Sequence, residues 1–138
     1  MTKVAFFGDP HGDFKPVRNL VKRGGAGYAF LVGDFDLARP LDQELADLVA
    51  LDCDINFVHG NHDANRESWH DFVFGSQLAS RNLSGTSRTV GNLRIAGLGG
   101  VFHEEVWHPR AGLGQPVFYS RTDFLAANFR KLGEVGCH

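Results

Sequence analysis

The chain is poor in sulfur, with two cysteines and one methionine in 138 residues. Cys53 and Cys137 stand in no metal-binding or redox pair motif, which removes zinc-ribbon and thioredoxin-like chemistry from consideration. Cys53 is expected as a small core or edge residue just ahead of a strand, and Cys137 as part of a mobile end. There is no excess of positive charge. Lys and Arg number 14 against 16 Asp and Glu, and the net charge of −2 leaves no electrostatic footprint for nucleic acid. Arg81, Arg88 and Arg94 form a mildly basic stretch, expected on the solvated faces of a hairpin. No apolar run approaches the roughly 20 residues of a membrane span, and Met1 to Phe7 is too short for a secretory leader. A reduced, cytoplasmic setting is expected. No internal repeat and no low-complexity segment interrupts the chain.

What remains describes a packed α/β domain. Hydrophobic residues make up 43% and charged residues 22%, enough for one core over residues 1–138. Three short apolar runs, Val4–Phe7, Tyr28–Val32 and Ile55–Val58, read as buried strands. Helical spacing follows the first two. Phe14 to Arg23 carries Val17, Leu20 and Val21, with Pro16 in the tolerant first turn, and Leu41 to Leu51 carries Leu41, Leu45, Leu48 and Val49. A βαβαβ parallel sheet with right-handed crossovers is therefore expected. Beyond it, 66–72 suggests a short helix. Thr86–Val90 and Leu93–Leu98 suggest a hairpin around Gly91-Asn92. The glycines at 97, 99 and 100 form a tight loop but no dinucleotide fingerprint, since Phe102 stands where the third glycine is needed. Residues 103–120 read as irregular and Thr122–Leu132 as a last helix.

The chemistry gathers at the ends of the three strands. The first delivers Gly8-Asp9-Pro10-His11-Gly12, the second Gly33-Asp34-Phe35-Asp36, the third His59-Gly60-Asn61-His62-Asp63. From His11 to Asp34 is 23 residues and from Asp34 to Asn61 is 27, about one strand–helix unit each. Loops past the carboxyl ends of parallel strands converge on one edge, where α/β proteins bind ligands. Carboxylates crowded there repel one another. A divalent cation relieves that repulsion, and carboxylate, amide oxygen and imidazole are suitable donors for one. One Gly-Asp at a strand end is commonly a turn. Three such ends in series, each with glycine at or beside the key residue, point to a metal site.

The residues Gly8-Asp9-Pro10-His11-Gly12, Gly33-Asp34 and Gly60-Asn61-His62-Asp63 resemble the motif set of the calcineurin-like metallophosphoesterases, in the same order and spacing. The resemblance covers about residues 3–63 by motif and extends loosely to 97–100. It implies a two-sheet sandwich, of which this chain would be a part, and a dinuclear site using Mn, Fe, Zn, Mg or Ni. Asp9 and His11 would bind the first metal, Asp34 would bridge both, and Asn61 would bind the second. A metal-bridging hydroxide would attack the phosphorus of a phosphomonoester or phosphodiester in line. His62 would donate a proton to the leaving oxygen or hydrogen-bond it, and Asp63 would orient His62 through its second nitrogen.

The sequence departs from that family in two places. Many members carry Gly-Asp-x-x-Asp, often with a following Arg. Here the second acid, Asp36, is two residues after Asp34, and Arg39 does not align. The family's later Gly-His and Gly-His-x-His are absent as well. The later histidines, His70, His103, His108 and His138, lie in no such motif: His70 is expected on a helix surface, His103 and His108 in the irregular stretch, solvated though within reach of the site, and His138 is the terminal residue and not expected as a ligand. Three protein ligands would then serve the first metal and two the second. A C-terminally shortened domain is expected, whether a natural truncation, a fragment or a frame-altered product. It would have an open apolar sheet face that a homodimer could cover. Two functions follow: a metal-dependent phosphoesterase, or a truncated and catalytically impaired relative that binds metal weakly or not at all.

Overall fold

The computed structural model describes residues 2–100. Expectations for 103–120, for the helix at 122–132, and for His103, His108, Cys137 and His138 lie outside those residues. Strands β1 (Val4–Gly8), β2 (Tyr28–Val32) and β3 (Asp54–Val58) form a parallel sheet in the order β1-β2-β3. The register aligns Phe7 with Leu31 and Leu31 with Phe57, so every second residue falls on the same face. That face (Ala29, Leu31, Ile55, Phe57) packs under α1 (Lys15–Gly24) and the segments that follow β2. Val17 and Val21 of α1 are buried against it, while Leu20 points to solvent. Gly25 takes the left-handed conformation that ends α1, with its N–H on the Val21 carbonyl.

The expected helix over Leu41–Leu51 is divided into α2 (Leu41–Glu44) and α3 (Ala46–Val49), with Leu45 at φ −107° between them. The apolar pattern survives the break: Leu41, Leu45 and Leu48 are fully buried, and only Val49 turns outward. Burial of the leucines, rather than unbroken helical geometry, sets the path of the segment. Arg18 of α1 fixes that path from the other side. Its guanidinium bonds the Glu44 backbone carbonyl, Glu44 Oε1 at 2.7 Å and Asp47 Oδ1 at 3.2 Å, and Lys22 adds a 2.9 Å pair to Asp47.

After β3, a single 3-10 turn at His62–Ala64 leads to α4 (Glu67–Phe74), two residues longer at its C-terminal end than the 66–72 expectation. The antiparallel hairpin β4 (Thr86–Val90) and β5 (Leu93–Gly97) turns at Gly91, whose φ is +61°. It lies over the second face of the sheet, where Leu83, Val90 and Ile95 join Val4, Tyr28, Phe30 and Val58 in a smaller core. That face is therefore partly covered rather than open. Arg88 is correspondingly not a solvated residue. It reaches the buried Asn56 at 2.6 Å and both carboxylate oxygens of Asp54, which Arg81 also bonds at 3.2 Å. No described helix is long and apolar enough to cross a membrane.

Candidate metal centre

The three strand ends do meet at one edge. The first two loops continue the sheet's pairing beyond the strands, with His11 N–H on the Asp34 carbonyl at 3.1 Å and Gly12 N–H on the Phe35 carbonyl at 2.9 Å. The second and third loops interlock through glycine. Gly33, at φ +64°, lies so close to Gly60 that a Cβ on it would overlap the Gly60 backbone. A Cβ on Gly60 would overlap Asp34. This is the physical reason for glycine at both positions: side chains there would force the loops apart.

The backbone at this edge is held in a conformation that L-residues seldom adopt. Asp9, His11, Asp34 and Asp36 all have positive φ, between +42° and +53°, and among the described residues the one other non-glycine with positive φ is Asp52. Non-glycine residues at positive φ gather at functional sites because the surrounding structure must hold them there. The same turns place the side chains. His11 and His62 face each other with ring centroids 6.3 Å apart. The pKa of His11 is raised, first by its Nδ1–H bond to Asp36 Oδ2 at 2.9 Å and further by the charges of Asp36, Asp34 and Asp9, which all act on it. The loops that carry Asp9, His11, Asp34 and Asp36 thus meet at one edge, with His11 and Asp36 in direct contact.

Asp63 is placed differently from the expectation. It is buried at 1% exposure, and its carboxylate accepts three backbone N–H groups: Phe35 at 2.8 Å, Gly60 at 2.7 Å and Asp34 at 3.1 Å. Burial pushes its pKa up; the N–H donors pull it back and the neighbouring Asp34 charge adds to the rise. The partner of His62 Nδ1 is instead Asn65, whose Nδ2 donates at 2.8 Å. The reason is competition. The 3-10 turn aims Asp63 inward at N–H groups that have no other partner among the described residues, and Asn65 is left on the outer side of the same turn. Asp34 Oδ1 accepts the His62 backbone N–H at 3.1 Å, tying the second loop to the third. His59 is buried, packs its ring on Phe74 at 5.3 Å and meets Asn82 at 3.1 Å; burial lowers its pKa, as for a core histidine. Arg39 is paired with Glu44 at 2.7 Å.

The donor chemistry of Asp9, His11, Asp34 and Asn61 fits a divalent ion. It offers hard carboxylate and amide oxygens with one borderline nitrogen, all presented at one edge. The side chains stand open: among the described residues no group of three or more His, Cys, Asp and Glu closes on a single point. Sequence reasoning noted Asp36 without giving it a role and missed Asn65. Asp36 lies at a spacing that matches no motif, and Asn65 is recognisable only from the turn that brings it back to His62.

An α/β domain with carboxylates and imidazoles at three successive strand ends carries its candidate site where open parallel sheets bind ligands. The comparisons are more specific. A family model described as calcineurin-like phosphoesterase matches residues 2–126, and the chain belongs to that family. An uncharacterized protein of Haemophilus influenzae is 38% identical over 116 residues, covering 84% of this chain and 49% of that protein. The chain thus spans about half the length of the curated relative it matches. No solved structure matches it.

Proposed function

We propose that this chain is a metal-dependent phosphoesterase domain over residues 1–138, acting on phosphomonoesters or phosphodiesters. The observation that supports the reading is the pairing of the loops that carry Asp9, His11 and Asp34 at one sheet edge, all three residues in backbone conformations that need outside support. Asp9, His11, Asp34 and Asn61 would hold divalent metal, Mn, Fe, Zn, Mg or Ni by donor type. Bound there, it supplies Lewis acidity and hydroxide near neutral pH. The chain's own groups do the rest. Asn65 occupies His62 Nδ1, so His62 faces the site with Nε2–H, the atom that donates toward a leaving oxygen. Asp63 acts through the backbone, holding Gly60, Asp34 and Phe35 in place so that Asn61 and His62 project from a fixed turn. We place the protein in the cytoplasm, and as a homodimer through the uncovered part of the second sheet face.

The open side-chain arrangement favours a second reading, a catalytically impaired relative that binds metal weakly. One experiment separates them: metal content after loading with Mn²⁺ or Zn²⁺ and dialysis, alongside hydrolysis of a chromogenic phosphomonoester and diester. The phosphoesterase reading expects bound metal with turnover, abolished by Asp34→Asn. It also expects His62→Ala to lower turnover by about 10²-fold or more while the metal stays. Little metal and no turnover would leave the second reading.

A further inference from the structure

We propose that Asp36 is the positioning residue of His11, holding its Nδ1–H so that Nε2 is the nitrogen offered to the ion. The proposal rests on the reading of His11 as a metal ligand. Among the described residues, the one side-chain hydrogen bond of Asp36 is to His11 Nδ1, at 2.9 Å. The backbone enforces it. Asp36 follows two N–H···O bonds that zip its loop to the His11 loop, and it stands between the fully buried Phe35 and the buried Leu37. Its φ of +48° turns the side chain back across the zipped loops toward the imidazole, which is itself at φ +42°.

Glycine would occupy that conformation with less strain. An acid held there at a conformational cost has its use in the bond it makes. Metal-ligating histidines commonly donate their second ring N–H to a carboxylate, which fixes tautomer and ring orientation, and loss of such a partner costs 10–100-fold in metal affinity. Asp36 has the atom, the distance and the direction for that role.

The test uses the full chain in three forms: wild type, Asp36→Gly and Asp36→Asn. Long-range ¹H–¹⁵N correlation of the imidazoles at about pH 8.5, where free histidine is neutral, reads the tautomer, with His11→Asn assigning the signals. The expected result is Nδ1–H in wild type, a mixed tautomer in Asp36→Gly, and an intermediate state in Asp36→Asn, which keeps an acceptor oxygen. Mn²⁺ affinity, read from the free-ion electron paramagnetic resonance signal, should fall about 10–100-fold in Asp36→Gly and less in Asp36→Asn. Unfolding stability of Asp36→Gly should equal or exceed wild type, because strain at φ +48° is relieved. A merely structural role predicts the reverse, lower stability with Mn²⁺ affinity kept. An Nε2–H tautomer in wild type, or a tautomer and affinity indifferent to Asp36→Gly, overturns the proposal. If wild type itself binds no Mn²⁺, the metal reading fails and the proposal with it, a result distinct from a loss confined to the variant.

Discussion

Removing the Asp63 carboxylate would leave three N–H groups without their acceptor at once, those of Asp34, Phe35 and Gly60. The Phe35 bond is buried and the other two are part-buried, so solvent can replace the carboxylate only in part. An unsatisfied buried donor costs about 1–3 kcal/mol. Relaxation recovers part of the sum, and Asp63→Ala should lose about 3–5 kcal/mol in a denaturant titration. Asp63→Asn should lose less but not recover, because its amide nitrogen meets one of those N–H groups donor to donor. A variant as stable as wild type would show that the carboxylate is not what holds the loops. The sequence marks Asp63 as important and misassigns its partner. Gly-Asn-His-Asp gives residue types in a row, but which side chain reaches His62 depends on a 3-10 turn that three residues cannot announce. Asp36 is illegible for a similar reason: its contact with His11 arises from positive φ at two non-glycine residues, which the residue types do not encode.

At the scale of elements, the parallel strands were the most legible feature, because contiguous apolar runs followed by glycine have few other uses. The division of the 41–51 segment at Leu45 was not, since the leucine spacing is the same on either side of the break. What locates the two short helices is the charge cluster on α1. Burial of Glu44 would raise its pKa, but hydrogen bonds from Arg39 and Arg18 outweigh burial and lower it. Asp47 is likewise lowered, by Lys22 and Arg18 against burial. Carboxylates with depressed folded pKa values contribute stability above their unfolded values, about 4.3 for Glu and 3.9 for Asp. That contribution is lost as pH falls through the lower folded values. Arg18→Ala should therefore cost about 1–2 kcal/mol near neutral pH. It should also flatten the acid limb of a stability–pH curve below about pH 4.5. If the acid limb of the variant ran parallel to that of wild type, the pairing would be incidental to stability. The Arg88 clamp on Asp54 and Asn56 works on the hairpin in the same way, a polar anchor that no strand periodicity foretells.

For the molecule as a whole, the second sheet face is where the sequence expectation and the structure part by degree. The hairpin meets the face at Val4, Tyr28, Phe30 and Val58, because Leu83, Val90 and Ile95 reach it there. The strand alternation continues past that cover. Phe6, stacked on Phe30 at 5.1 Å, remains 58% exposed, and Val32 remains 47% exposed. Between them and the hairpin lies an apolar cleft of about 230 Å³, lined by Phe57, Val58, Leu83 and Ile95 among others. A half-exposed phenylalanine on an edge strand gains roughly 1–1.5 kcal/mol when its remaining surface is buried. In a twofold dimer each copy contributes one, so the Phe6 pair should be worth about 2–3 kcal/mol, near 100-fold in dissociation constant. Light scattering behind size exclusion is expected to show a dimer at micromolar concentration. Phe6→Glu should shift it to monomer at the same loading, since the carboxylate would be buried against its symmetry mate, while the hairpin side of the core stays intact. A wild-type chain that remains monomeric on dilution and on concentration would remove the dimer and leave Phe6 as solvent-facing surface.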